Sequence, residues 1–201
     1  MTSVLTGDII NSQGLTPEKW LKPLKKVLNN HAKETIAWEI FRGDSFQVEI
    51  HPEKALELAI EIKLAIKQYE EIDVRIAIGI GDKSYSAKKI TESNGTAFVN
   101  SGECFENLNK TTLAIKSSNL YFDYTLNTMF QLALLTIDNW TVNSIELIKT
   151  VFENPKLNQK KMAKLLGKSQ STVSEGLKRA GFDELKQLLK YYKYNVENTK
   201  W

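Results

Sequence analysis

The sequence contains very little cysteine and histidine. Its 201 residues include one cysteine, Cys104, and two histidines, His31 and His51. A single cysteine excludes an internal disulfide, and so few Cys and His residues exclude a zinc site built from them. No run of about 18 uninterrupted apolar residues occurs, which argues against a membrane span. The N-terminus lacks a basic segment followed by a long apolar run, so we expect no signal peptide and predict a cytoplasmic protein.

Charge is present in ordinary amount but is unevenly distributed. The formal net charge is +3, and from Trp140 onward the chain carries 12 Lys and Arg against 6 Asp and Glu, whereas the preceding part is mildly acidic. A small basic domain is the electrostatic feature expected of a nucleic-acid binder. So modest an excess is also compatible with ordinary surface variation.

The periodicity of apolar residues predicts an α+β protein. The order of predicted elements up to residue 80 is β-α-β-β-α-β, with a hairpin over 34–50, which is the ferredoxin-like order. A long apolar helix over 123–140 follows, with Asp123 as its predicted cap. We therefore predict a ferredoxin-like domain over 1–122, a connecting helix over 123–140 and an all-α domain over 141–201.

Two Gly-Asp pairs lie inside apolar, strand-like segments, although Gly and Asp are both depleted in strand interiors. The pairs are Gly7-Asp8 and Gly43-Asp44. If the two strands are neighbours, Asp8 and Asp44 face one divalent cation such as magnesium, which prefers carboxylate oxygen. The alternative is that both are turn or cap residues.

Four motifs occur in the order TGDIINS (6–12), FRGDSF (41–46), DVRIAIGIG (73–81) and GTAFVNSGECFENL (95–108). This order resembles the palm domain of class III nucleotidyl cyclases, and the whole chain resembles the SatD family of small bacterial proteins. The resemblance implies a metal pair, Asp8 and Asp44, and nucleotide contacts from the hairpin and from two further positions. Those contacts are Arg42, Gly43, Arg75 and Asn100.

The sequence departs from the cyclase pattern at two positions. Ile40 stands where these cyclases usually carry a base-selecting lysine, and Cys104 stands where they usually carry a transition-state arginine. Loss of one preorganised electrostatic group typically costs roughly 10²–10³ in rate. The pattern therefore favours a nucleotide sensor over a conventional cyclase, while nucleotidyl transfer by other residues stays open.

Residues 157–181 predict a helix-turn-helix and resemble bacterial regulators. Asn158 and Ser169 are predicted helix caps, and Gly167 supplies the turn. The start of the second helix would meet base edges in the major groove, and the first helix would cross the phosphate backbone. The predicted DNA-binding residues are Lys160, Lys161, Ser169, Gln170, Ser171, Thr172, Ser174, Lys178 and Arg179. Helix-turn-helix units also serve as protein-docking modules, which is the alternative.

Together these features predict a homodimeric DNA-binding transcriptional regulator. Its cyclase-like domain would sense a nucleotide or a phosphate-bearing ligand, with magnesium as candidate cofactor. Its partners would be double-stranded DNA and the ligand, with no membrane partner. One alternative is a nucleotidyl cyclase or transferase that uses the two-aspartate metal site, and another is a protein-binding scaffold.

Overall fold

A five-stranded sheet forms the centre of the computed structural model, which describes residues 1–31 and 37–201. The strand order across the sheet is β2-β3-β1-β4-β5. The strands are β1 (Thr2–Ile10), β2 (Trp38–Phe41), β3 (Ser45–Ile50), β4 (Asp73–Gly81) and β5 (Leu113–Lys116). Residues 34–36 of the predicted hairpin lie outside the described residues.

Eight α-helices accompany the sheet in the described part of the chain. They are α1 (Pro17–His31), α2 (Ala55–Ile66), α3 (Thr96–Glu106), α4 (Leu120–Ile137), α5 (Val142–Glu153), α6 (Gln159–Leu165), α7 (Gln170–Arg179) and α8 (Phe182–Asn198). The mixture of helices and strands predicted from the periodicity is confirmed.

Strand β1 is the central strand and pairs antiparallel with both β3 and β4. Its register places Leu5 opposite Ile78 and Ile9 opposite Val74. Successive side chains of a strand point to opposite faces, so these residues form one apolar face. That face packs against α1 and α2 in the main hydrophobic core.

Helix α3 covers part of the other face and lies very close to the sheet at Gly79. A Cβ atom built on Gly79 would collide with the backbone nitrogen of Ser101 and the backbone oxygen of Ala97. The Ser101 hydroxyl also donates to Thr6 Oγ1 at 2.7 Å. Glycine is therefore needed at position 79 because the helix backbone occupies the space of a side chain.

Helix α4 begins earlier than predicted. Its first residue is Leu120, and the Asn119 side chain accepts from the backbone N–H of Phe122 at 3.0 Å. The prediction of Asp123 as the cap is wrong: Asp123 lies inside the first turn, where its carboxylate accepts from the Ser117 hydroxyl at 2.6 Å and the Ser117 backbone N–H at 2.8 Å. Asn119 and Asp123 both favour helix starts, so residue type alone did not distinguish them.

The C-terminal helices share one core with the sheet. One hydrophobic cluster of buried residues extends from Leu5 of β1 to Val196 of α8. Two buried hydrogen bonds reinforce the packing: Tyr192 Oη donates to the carbonyl of Pro52 at 2.7 Å, and Trp140 Nε1 donates to the carbonyl of Ala180 at 2.9 Å. The predicted division at residues 122 and 140 stays a prediction.

Across the described ranges, no helix combines the length and the apolar character that a membrane crossing requires.

Candidate functional site

The β2–β3 hairpin has the tight turn that its sequence predicts. Phe41 pairs with Ser45 across a three-residue turn, and Arg42 and Gly43 have φ angles of 52° and 92°. Positive φ is easy for glycine and unusual for arginine. Arg42 and Gly43 are both exposed, so the Arg42 side chain is accessible to solvent at this end of the sheet.

Asp44 is the last residue of this turn and lies against the end of β1. Its carboxylate accepts a hydrogen bond from the Ser12 hydroxyl at 2.7 Å, and its backbone carbonyl accepts from the N–H of Ile9 at 3.2 Å. The neighbouring residue Ser45 pairs with Asp8 in the sheet. The two Gly-Asp segments therefore lie together at one end of the sheet.

Asp8 forms a bidentate ion pair with Arg75. These residues are directly opposite each other on β1 and β4. Arg75 Nε donates to Asp8 Oδ1 at 3.0 Å, and Arg75 Nη2 donates to Asp8 Oδ2 at 2.5 Å. The guanidinium carbon lies 5.4 Å from the centroid of the Phe105 ring, within cation–π range. The hydrogen bonds to Asp8 raise the pKa of Arg75 above its ordinary value, so the guanidinium stays charged.

These contacts form an ion pair rather than a preformed magnesium site. Both oxygens of Asp8 are held by Arg75, and one oxygen of Asp44 is held by Ser12. Among residues 1–31 and 37–201, no group of three or more His, Cys, Asp or Glu side chains is arranged to hold a metal ion. Asp8 and Asp44 therefore form no preformed metal site while Arg75 holds both Asp8 oxygens, and the magnesium prediction stays a prediction.

Asn100 lies away from the other predicted nucleotide contacts. Its side-chain amide donates to the carbonyl of Ile80 at 2.8 Å, near the end of β4. Arg75 lies near the start of the same strand, five residues earlier, which corresponds to about 16 Å along the strand. The structure therefore brings Arg42, Gly43 and Arg75 to the end of the sheet that carries Asp8, and it does not bring Asn100 there.

The two positions that depart from the cyclase pattern both contribute to packing. Ile40 on β2 packs against the main core. Cys104 on α3 is 8% exposed and packs with Ala77 and Leu108. Burial raises the pKa of the Cys104 thiol to about 12. Neither residue supplies the charge that a cyclase would use at that position.

We therefore expect Cys104 to react very slowly with iodoacetamide at pH 8, because the thiolate is the reactive form and burial suppresses it. Mass spectrometry of the native protein should show mostly unmodified chain, and the same treatment in denaturant should label it fully. Native labelling as fast as that of a small free thiol would contradict this assignment.

The predicted helix caps of the C-terminal segment are in place. The backbone N–H of Lys161 donates to Asn158 Oδ1 at 3.0 Å, and that of Thr172 donates to Ser169 Oγ at 3.1 Å. Gly167 between α6 and α7 has a φ of 62°. The predicted helices and their connection are therefore confirmed as local structure.

Helices α6 and α7 bury one face and expose another. Met162 and Ala163 of α6 pack with Val173 and Leu177 of α7 in the main core. All nine predicted DNA-binding residues are exposed. Within the described chain, no carboxylate forms an ion pair with Lys160, Lys161 or Lys178. Arg179 Nη1 lies 4.0 Å from Glu175 Oε2 on the surface. The result is a surface that carries three lysines unpaired among the described residues, one arginine in a long surface ion pair, and small polar side chains.

Sequence reasoning missed the contacts that surround the predicted residues. Ser12 and Phe105 were not predicted to contact Asp44 and Arg75. Both lie inside motifs that were recognised, TGDIINS and GTAFVNSGECFENL. Only the packing of α3 on the sheet brings Phe105 to Arg75, so spacing along the chain gave no signal for it.

A protein-family model matches nearly the whole chain. The SatD family model matches residues 3–193. The chain belongs to the SatD family. No curated protein matches it.

Proposed function

We propose that this protein is a cytoplasmic DNA-binding transcriptional regulator whose N-terminal part binds a nucleotide or another phosphate-bearing ligand. One observation carries the proposal. Helix α7 presents Gln170, Ser171 and Thr172 on its exposed first turn, while α6 and two caps hold it in place. This is the arrangement by which a helix-turn-helix places a recognition helix in the major groove.

The side-chain chemistry on α7 suits base edges and phosphates. Glutamine pairs bidentately with adenine, and serine or threonine accepts and donates at either base edges or phosphates. Lys160 and Lys161 lie at the start of α6, the helix that crosses the DNA backbone in this motif. Twelve Lys and Arg against six Asp and Glu from residue 140 onward add a general attraction to DNA.

A ferredoxin-like, cyclase-related N-terminal domain is part of the proposal. The neighbours β2-β3-β1-β4 are all antiparallel, and α1 and α2 cover one face. This connectivity supports the ferredoxin-like assignment. The half-exposed guanidinium of Arg75 and the exposed Arg42 lie at one end of that sheet. A phosphate that binds bidentately to Nε and Nη2 of Arg75 would displace Asp8 from those two groups.

Nucleotidyl cyclase or transferase activity is the second candidate function. It is favoured by the convergence of Asp8 and Asp44 at one end of the sheet. It requires that Arg75 leave Asp8 and that groups other than Ile40 and Cys104 supply base recognition and charge stabilisation. The sensor function needs fewer rearrangements.

DNA binding is tested first with random-sequence duplexes, from which bound sequences are selected. We expect Gln170→Ala to weaken binding to a selected duplex about tenfold, because a bidentate base contact is worth about 1–3 kcal/mol. We expect Lys160→Ala/Lys161→Ala to weaken binding to every sequence and to lower the salt slope by about 2. Fluorescence anisotropy across a salt series measures both effects.

The matched control is Lys22→Ala/Lys25→Ala, which removes two exposed lysines from α1 and should leave the salt slope unchanged. If the wild-type protein binds no duplex, or if the α1 variant loses as much affinity as the α6 variant, the DNA-binding function is wrong. The scaffold alternative predicts the first of these results.

A further inference from the structure

An apolar surface lies exposed along helices α4 and α8. Six large side chains project from it into solvent, with exposed fractions between 39% and 82%. We name this surface the α4–α8 face. Its members are Tyr121, Tyr124, Leu132 and Leu135 of α4 and Tyr191 and Tyr194 of α8. Single exposed apolar residues are ordinary, but a contiguous group of them marks an interaction site.

Helix α4 exposes no charged side chain on this face. Between Leu120 and Ile137 the only charged residue is Asp123, which is buried and bound by Ser117. A quarter of the whole chain is charged, so an uncharged exposed helix of 18 residues differs from the rest of the surface. Tyr121, Tyr124, Thr128, Leu132 and Leu135 follow helical spacing and therefore form a continuous stripe.

A groove runs beside this stripe, between α4 and α8. Its volume is about 630 Å³. Apolar side chains of both helices form most of its walls, together with the polar side chains of Thr136, Glu184 and Gln187, and the C-terminal end of α7 closes one end with Lys178 and Arg179. Leu132 also lines the groove, so the protruding stripe and the depression adjoin each other.

We propose that the α4–α8 face binds a second copy of this chain about a two-fold axis. In a two-fold interface residue i of one copy contacts residue j of the other and j contacts i, so only residues near the axis meet their own copies. The α4 stripe carries no exposed charge, so two α4 helices can meet near the axis without like-charge repulsion and without burying an unpaired charge. Each copy offers both a row of protruding side chains and an apolar groove, which is the self-complementary shape that such an interface needs.

The size of the surface is adequate for a stable dimer. Eighteen residues of helix extend about 27 Å, and two helices packed side by side span about 20 Å. This gives roughly 540 Å² in projection, and the accessible area of a ridged helical surface is larger. A standard interface buries about 800 Å² per partner, so the α4–α8 face is of the required order.

The pairing would also set the distance between two α7 helices, because the end of α7 closes the groove. Helix-turn-helix dimers contact two half-sites about one turn of DNA apart. Only this spacing role rests on the proposed DNA-binding function; the pairing itself does not. A chain that dimerises without binding DNA would contradict the function alone, and one that binds DNA as a monomer would contradict the pairing alone.

Sedimentation equilibrium of the full chain tests the pairing. We expect the wild type at about twice its chain mass of 22.9 kDa and Leu132→Lys/Leu135→Lys at the mass of one chain. Both leucines are mostly exposed, so thermal unfolding followed by circular dichroism should show that the variant still folds. The matched control is Tyr85→Lys/Val99→Lys, which changes two exposed apolar residues outside the face and should stay dimeric.

A wild type that sediments as a single chain would overturn the proposal, and so would a dimer that the α4 substitutions leave intact. A single chain whose groove binds the apolar dye ANS, with binding lost in Leu132→Lys, would assign the groove to a small apolar ligand instead. A dimer abolished by the control substitutions would place the interface elsewhere.

Discussion

Replacing Lys63 by methionine is expected to lower the free energy of unfolding by about 3 kcal/mol. The Lys63 side chain is completely buried. Its ammonium group lies 3.3 Å from Asp73 Oδ1, 3.2 Å from Asp138 Oδ1 and 3.3 Å from the carbonyl oxygen of Val74. Removing the cation leaves two carboxylates facing an apolar side chain, which costs more than loss of the attraction itself. Urea denaturation measures the change.

The expected loss of about 3 kcal/mol is at the low end of the range for breaking a buried ion pair, because both carboxylates left behind keep some stabilisation of their charge. Asp73 keeps an ion pair with Lys67 at 2.9 Å, and Asp138 is 33% exposed. The double variant Lys63→Met/Asp138→Asn should recover part of the loss, since it removes one of the unpaired charges. Recovery in this double-mutant cycle distinguishes charge burial from a packing defect.

The matched control is Lys54→Met, which removes a surface partner of Glu57. A surface pair is worth about 0–1 kcal/mol, so its unfolding free energy should hardly change. If Lys63→Met lowered the free energy of unfolding no more than Lys54→Met, the buried ion pairs of Lys63 with Asp73 and Asp138 would not stabilise the fold.

The ion pairs of Lys63 with Asp73 and Asp138 are a feature that the sequence did not predict. Apolar residues recur along α2, and Lys63 places a charge among its buried positions that helical spacing does not explain. Its partner Asp73 is on β4, and Asp138 is the residue that ends α4. A charged lysine is buried only where it is paired, here with carboxylates that the fold supplies. The partners of Lys63 are 10 and 75 residues away in sequence, so tertiary packing brings them together.

Local chemistry was predictable because it depends on a few neighbouring residues. The caps Asn158 and Ser169 and the turn at Gly167 are confirmed for that reason. The start of α4 was predicted wrongly, although it is also local, since Asn119 and Asp123 compete for the same role. Asn119 is the cap of α4, and the Asp123 carboxylate instead accepts hydrogen bonds from the backbone N–H and the hydroxyl of Ser117.

The sequence predicted where the candidate ligand site lies, but it did not predict which side chains contact one another there. Two Gly-Asp segments in strand-like runs indicated that Asp8 and Asp44 meet, and the adjacency of β1 and β3 brings them to one end of the sheet. That Asp8 would be held by Arg75 depends on β4 lying on the other side of β1. That Asn100 would lie elsewhere depends on where α3 crosses the sheet. Both are properties of the tertiary arrangement of strands and helices rather than of any motif.

Asp8→Asn and Arg75→Ala are expected to change nucleotide binding in opposite directions. In the proposed sensor, a ligand phosphate competes with Asp8 for the guanidinium of Arg75. Neutralising Asp8 removes the competitor and a nearby negative charge, so we expect metal-free nucleoside triphosphate to bind about tenfold tighter, or roughly 1.4 kcal/mol. Removing Arg75 should weaken binding about 100-fold, since a charge-assisted bidentate contact is lost.

Calorimetric titration of a nucleotide panel, with and without magnesium, measures both changes. Asp183→Asn is the matched control, because it neutralises an exposed aspartate on α8 and should leave the affinity unchanged. Chromatography of each mixture after titration shows whether any nucleotide has been converted.

The metal-dependent alternative predicts the opposite sign for Asp8. Two carboxylates that hold magnesium must stay charged, so Asp8→Asn and Asp44→Asn would each abolish binding that depends on magnesium. New product formed by the wild type and lost in both variants would establish the nucleotidyl cyclase or transferase function. Absence of binding in every protein would mean that the Asp8–Arg75 pair only joins β1 to β4, and the DNA-binding part of the proposal would then have to be judged alone.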